Sequence, residues 1–313
     1  MRNAVSSVLL AATLGVTLTS CASATPDEPT TVATETIDVL AAFYPLEFAA
    51  QQVGGKSVTV ESLTPRGAEP HDIELTPQQI VAISEADLIL YVGGFQPAVD
   101  EAITQHGGDR SVDVSTGINL IPADHATQDH AEDESGEEAH DGTDPHIWLD
   151  PENMITISNT IASRLGAVAG ERGPEIVTRS QRFNTELEQL NERWAAGTKE
   201  CQNRNLVVSH EAFGYLAQRY DFDQLGISGL SPEAEPSPAI VAKVTDFVKK
   251  NDVKTIYYET LVDPKVAQTV ASETGSKTAV LDPLEGLAPN SSGDYFTVMN
   301  NNLAAVVSGQ PCS

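Results

Sequence analysis

Four side chains with metal-binding chemistry sit in comparable local settings. His71 lies in Pro65-Arg66-Gly67-Ala68-Glu69-Pro70-His71-Asp72, between a predicted strand and a predicted helix. His146 lies in Asp144-Pro145-His146-Ile147-Trp148-Leu149-Asp150-Pro151, just ahead of a helical stretch. His210 follows the apolar run Leu206-Val207-Val208-Ser209, and Asp282 follows Thr278-Ala279-Val280-Leu281 with Pro283 behind it. Three imidazoles and one carboxylate form a nearly complete tetrahedral shell for a borderline cation, which Zn²⁺ suits best. A carboxylate in place of one imidazole would shift preference towards a harder ion such as Mn²⁺. Taken singly, a His or Asp at a strand end is more often a cap or a loop hydrogen-bonder than a ligand. Their joint occurrence at equivalent positions carries the metal reading.

Glu259, at the end of Ile256-Tyr257-Tyr258-Glu259, is a candidate to orient one of these imidazoles, or equally a polar group satisfied by neighbouring backbone. Trp148 beside His146 suits a site wall, or ordinary core. Catalysis by a zinc site would need an open coordination position and a nearby base. The chain has no HExxH, GxSxG or glycine-rich phosphate loop. If the carboxylate closes the shell, the site binds rather than hydrolyses, so no enzymatic activity is expected.

The elements that must position these residues alternate in a βα rhythm, the pattern of mainly parallel sheets. Strands are expected over 37–43, 58–63, 88–92 and 112–114 in the first half, and over 205–209, 255–258 and 277–281 in the second. Helices are expected over 46–53, from Thr76-Pro77-Gln78-Gln79 (N-cap Thr, Pro at the first position, Gln at the third), and over 97–106. Further helices are expected over 211–220, 238–250, 264–274 and 294–307. Between the halves, 175–194 places Ile176, Val177, Phe183, Leu187, Leu190 and Trp194 at helical spacing, long enough to run from one domain to another. The predicted architecture is α/β: two parallel-sheet βα lobes, 37–172 and 200–313, joined by a long rigid helix within 173–199. Ligands bind outside the carboxyl ends of such strands, so the four residues can converge only in the cleft between lobes.

With 313 residues, two domains are the natural expectation. The formal net charge of −27, from 45 acidic against 18 basic residues, disfavours nucleic acid and anionic lipid headgroups and attracts cations. Met1-Arg2-Asn3 followed by the apolar stretch 4–18 has the shape of a signal peptide and is too short for a comfortable membrane span. Leu18-Thr19-Ser20-Cys21 resembles the bacterial lipobox, so 1–21 reads as a lipoprotein signal with Cys21 lipidated, and 22–36 as a flexible tether. An extracytoplasmic protein held on the outer face of the cytoplasmic membrane by its lipid is the expectation. Only Cys201 and Cys312 remain, and an even pair in an exported chain suggests a disulfide, worth about 4–5 kcal/mol for a loop of this size. Residues 122–144 lack large apolar side chains and read as a mobile acidic loop inserted in the first lobe.

The chain resembles the solute-binding proteins of zinc/manganese ABC importers over nearly the whole mature chain. The resemblance rests on Gly67-Ala68-Glu69-Pro70-His71-Asp72, on the 144–151 string, and on Ser209-His210-Glu211-Ala212-Phe213-Gly214-Tyr215. It continues through Gly229-Leu230-Ser231-Pro232-Glu233-Ala234-Glu235-Pro236-Ser237 and Leu281-Asp282-Pro283-Leu284. It implies His71, His146 and His210 as ligands, with Asp282 as the fourth or a near-site carboxylate. It also implies capture of Zn²⁺ as a transported ligand by a monomer that delivers it to an importer permease. His rather than Glu at 210 looks like the zinc branch, which carries a His-rich loop where this chain has His125, His130 and His140. Those three residues would collect metal loosely, or are incidental on a solvated acidic loop. A Mn²⁺/Fe²⁺ receptor of the same architecture is the alternative. A metal-stabilised surface adhesin is another, since the family also contains members described as adhesins.

Overall fold

The computed structural model describes residues 36–123 and 142–312. Residues 1–35, which carry the expected signal peptide, Cys21 and nearly all of the expected tether, and the loop residues His125, His130 and His140 lie outside the described residues. The first sheet is built from β1 (Ile37–Ala41), β2 (Val58–Ser62), β3 (Leu88–Tyr91) and β4 (Ser111–Asp113), in the order β2-β1-β3-β4. The second contains β5 (Asn205–Val208), β6 (Asp223–Gly226), β7 (Thr255–Tyr258) and β8 (Lys277–Val280), in the order β6-β5-β7-β8. Every pairing in both sheets is parallel. The two lobes therefore repeat one topology, and each has its switch point between the two central strands, β1/β3 and β5/β7.

The crossovers in the first lobe are α1 (Tyr44–Gly54), α2 (Pro77–Glu85) and α3 (Pro97–His106), and α4 (Pro151–Val168) follows the last strand. Thr76 caps α2 through the expected reciprocal pair, its side chain taking the Gln79 N–H while the Gln79 side chain takes the Thr76 N–H. In the second lobe the helices are α6 (Gly214–Tyr220), α7 (Pro238–Lys250), α8 (Lys265–Thr274) and α9 (Tyr295–Gly309). β6 was not foreseen from the sequence, because its run Asp223-Gln224-Leu225-Gly226 offers one large apolar side chain and only Gly226 is buried.

The lobes are joined by α5 (Gly173–Thr198), 26 residues long. Its buried positions Ile176, Ser180, Phe183, Leu187, Leu190 and Trp194 form a seam at spacings of three and four, and α4 packs along it. Phe183 meets Phe48 of α1 edge-on at 5.8 Å, while Trp194 stacks on Tyr220 of α6 at 5.3 Å, so one helix is anchored in both lobes. Burying side chains of this size stabilises by about 1.5–3 kcal/mol each. A disulfide joins Cys201 to Cys312 and fastens the end of α9 to the start of the second lobe. No helix among the described residues is long and apolar enough to cross a membrane.

One apolar core runs through both lobes, from Phe43 and Phe95 by way of Trp148 to Phe213, Leu284 and Tyr295. Hydrogen bonds cross the same boundary. The Tyr215 hydroxyl donates to the Asp144 carbonyl at 2.7 Å and accepts from the Ile121 N–H at 3.1 Å. Arg219 forks onto Asp150 with contacts of 2.7–3.0 Å, in the bidentate geometry that carboxylates favour.

Candidate metal centre

The carboxyl end of the second sheet presents His210 and Glu259 at its switch point, just after β5 and β7. The first sheet fills its own switch point with apolar rings, Phe43 after β1 and Phe95 after β3. His71, from the loop after β2, packs edge-on against Phe95 at 4.6 Å. His146 stands in the turn before the short 3-10 segment Ile147–Leu149, its ring 5.2 Å from that of Trp148. Trp148 is fully buried against Phe43 and Phe95, so the wall reading and the core reading both hold for it.

The three imidazoles converge on one carboxylate oxygen. Nε2 of His210, His146 and His71 lies 3.0, 3.1 and 3.4 Å from Glu285 Oε1. The donor atoms of these four residues all lie within 4.8 Å of one another. Zinc bonds of about 2.0–2.1 Å in a tetrahedron place neighbouring donors about 3.3 Å apart, which is close to the three spacings around Glu285. Exposure is 9 % at His71 and no more than 1 % at His146, His210 and Glu285, so few water molecules compete for the donors.

The far side of two rings settles which nitrogen faces the centre. His146 Nδ1 lies 2.7 Å from Asp144 Oδ1, and His210 Nδ1 lies 2.8 Å from Glu259 Oε1. A carboxylate accepts, so each Nδ1 carries the proton and each neutral ring turns an Nε2 lone pair inward. Such a lone pair opposite Glu285 Oε1 is repulsive unless a cation or a proton lies between. That electrostatic conflict is the strongest physical sign that the cluster is built to hold a positive ion.

The acid–base behaviour of the cluster follows from it. Burial opposes a charge on His210, but Glu285 and Glu259 outweigh it and push the imidazole up to about 10. For His146 the same opposition from burial is overcome by Asp144 and then Glu285, again raising it. His71 is lowered by burial, which its contact with Glu285 does not offset. Burial alone would raise Glu285, yet the surrounding imidazoles hold it well below the usual carboxylate range. Glu69, whose Oε1 accepts the His71 N–H at 3.1 Å, is pushed up to about 8 by burial and by the charge of Glu285.

Asp282 is not brought into this cluster. Its Oδ1 accepts the Leu284 N–H at 2.8 Å and its Oδ2 accepts the Thr260 hydroxyl at 2.7 Å, so both oxygens are engaged beside the site. The carboxylate that reaches the imidazoles stands three residues further on. Strand-end reasoning stops at Asp282 because the apolar run that reads as a strand ends at Leu281, one residue beyond the end of β8. Glu285 is aimed inward by the following turn, where Leu284 adopts a left-handed φ of 58°. The one available sequence signal was the acidic residue in Leu284-Glu285-Gly286, and nothing in that spacing marks it as a ligand. Glu259 lies where an orienting partner would, on His210 Nδ1, and it also accepts the Ser209 hydroxyl at 2.8 Å.

Comparison with known proteins gives an independent result. The family profile described as zinc-uptake complex component A, periplasmic, matches residues 39–309. The zinc-binding protein AdcA of Streptococcus pyogenes is 33 % identical over 281 residues, covering 85 % of this chain. This chain spans only 55 % of the length of that relative. The high-affinity zinc uptake system protein ZnuA of Bacillus subtilis is 33 % identical over 278 residues, 86 % of either chain. Among solved structures, a laminin-binding protein of Streptococcus agalactiae, described as having adhesin and metal transporting activity, superposes with a TM-score of 0.76. It is 30 % identical, and the match covers 87 % of this chain and 99 % of that one.

Proposed function

The chain belongs to the zinc-uptake complex component A family, and from that premise we propose that it captures Zn²⁺ outside the cytoplasm and delivers it to the permease of an ABC importer. His71, His146, His210 and Glu285 are the ligands in this reading. The observation that carries it is the convergence of three imidazole Nε2 atoms on Glu285 Oε1, two of them held by a carboxylate on the opposite nitrogen. Three neutral nitrogens favour zinc over harder ions, and the Glu285 oxygen completes four-coordination. A shell filled by protein donors leaves no position for an activated water, which favours binding over catalysis.

Capture exchanges the hydration shell of the ion for these four donors. His71 and His146 come from one lobe and His210 and Glu285 from the other, so the bound ion ties the lobes together. Release then requires the transporter to pull the ligands apart. The lobe boundaries 37–172 and 200–313, with 173–199 as the connecting helix, belong to the same reading. A lipid on Cys21 would hold a monomer at the membrane surface, and His125, His130 and His140 would gather metal loosely for the cleft.

Isothermal titration of metal-free protein lacking residues 1–21 with Zn²⁺ and then Mn²⁺ tests the proposal. One tight zinc site is expected, weakened by orders of magnitude in His210→Ala and little changed by deletion of 123–142. Equal loss from both changes would refute this division of roles, and tight Mn²⁺ binding would reassign the cargo.

A further inference from the structure

Glu285 is carried on a short turn after β8, and residues outside the metal cluster determine the shape of that turn. Asp282 spans it from within, Oδ1 taking the Leu284 N–H at 2.8 Å while Oδ2 takes the Thr260 hydroxyl at 2.7 Å. Asn302, buried in α9, closes both backbone polar groups of Asp282. Its Oδ1 accepts the Asp282 N–H at 2.9 Å and its Nδ2 donates to the Asp282 carbonyl at 2.7 Å. From the other lobe, the Trp148 indole N–H donates to the Pro283 carbonyl at 2.7 Å. Leu284, fully buried, is held at φ 58°, a conformation that residues with a side chain adopt only where their surroundings impose it.

These contacts leave Glu285 as the one acidic side chain of the turn free to face the imidazoles. We propose that Asp282 and Asn302 are positioning residues for the metal: together they lock the turn in the shape that aims Glu285 at the three rings. The inference rests on the zinc-capture reading above. It also separates two acidic residues three positions apart, one holding the ion and the other holding its neighbour in place.

The roles differ in what a neutral substitution does. Asp282→Asn keeps an oxygen for the Leu284 N–H and offers an amide to the Thr260 hydroxyl, so the clamp survives without the charge. Asp282→Ala removes it. Chelator competition for Zn²⁺ and visible absorption of the Co²⁺ form, strong for four-coordinate and weak for six-coordinate cobalt, would be measured on the full chain. Asp282→Ala is expected to lower zinc affinity about 10–100-fold, with a weakened cobalt spectrum, the range usual for groups that orient a ligand. Asn302→Ala should change the cobalt spectrum in the same direction. Asp282→Asn should stay within about threefold of the unmutated protein with its spectrum intact. Should Asp282→Ala fail to fold, Thr260→Val removes one contact of the clamp and is expected to cost about tenfold. Equal damage from Asp282→Asn and Asp282→Ala overturns the proposal by making the charge itself the requirement. Unchanged affinity and spectrum in Asp282→Ala, or in Thr260→Val where that takes its place, overturn it as well. If the unmutated protein holds zinc tightly and His210→Ala does not, zinc capture survives either failure. Absence of a tight zinc site in the unmutated protein removes both.

Discussion

Glu259 Oε1 lies 2.8 Å from Nδ1 of His210, and through that contact the second sheet decides which edge of the ring a metal meets. Glu259 directly follows β7 and His210 stands two residues beyond β5, so the pair is preset at the ends of two adjacent parallel strands. Preset geometry matters because a ligand that must first be ordered on binding loses affinity to that ordering.

Replacing Glu259 with Gln removes the negative charge and lets the amide present either an oxygen or an NH₂ to the ring. Zinc affinity is expected to fall about 10–100-fold with the fold intact, since the first-contact donors are untouched. Chelator competition measures the loss, and a thermal melt of the metal-free variant checks the fold. An affinity within error of the unmutated protein would mean that the charge of Glu259 is not what orients His210.

Most of this arrangement was legible in the sequence where the signal was local. The βα rhythm, the reciprocal cap at Thr76 and Gln79, the seam of α5 and the three histidines at loop positions all follow from periodicity and chain punctuation. Two features were not. β6 is nearly polar and becomes a strand because β5 offers it a backbone edge, which no property of Asp223-Gln224-Leu225-Gly226 announces. Glu285 was missed because its direction is created by contacts from Thr260, Asn302 and Trp148, residues up to 137 positions away on other elements. A turn set by tertiary hydrogen bonds has no local signature to read.

Gly214 opens α6 pressed against the first lobe, and a Cβ there would stand 2.5 Å from Asp144 Oδ2. Asp144 is 2 % exposed and holds both the N–H and Nδ1 of His146, at 2.9 and 2.7 Å. Gly214→Ala must therefore displace the group that orients His146. We expect about 1–3 kcal/mol of destabilisation from overpacking, read by chemical denaturation. A loss of zinc affinity of about tenfold should accompany it, read by chelator competition. Loss of stability without loss of affinity would show that His146 keeps its direction when Asp144 moves.

The pH dependence of zinc binding follows from protons that the metal-free cluster retains. His210 is pushed up to about 10 against an ordinary imidazole value of 6.5, and His146 is raised as well. A raised imidazole stabilises the metal-free fold fully below 6.5, and that contribution is lost as pH rises through about 10. Zinc acts in the opposite sense, because it must expel the same protons from Nε2 before it can bind. Affinity should therefore climb with pH between 7 and 9, and each Zn²⁺ bound near neutral pH should release about one to two protons. His71, lowered by burial, and Glu285, held well below the carboxylate range, add no proton to this count. Titration calorimetry in buffers of different ionisation enthalpy measures the release directly. Heats that are independent of the buffer would show that His146 and His210 are already neutral before the metal arrives, and that the repulsion between their lone pairs and Glu285 is relieved in some other way.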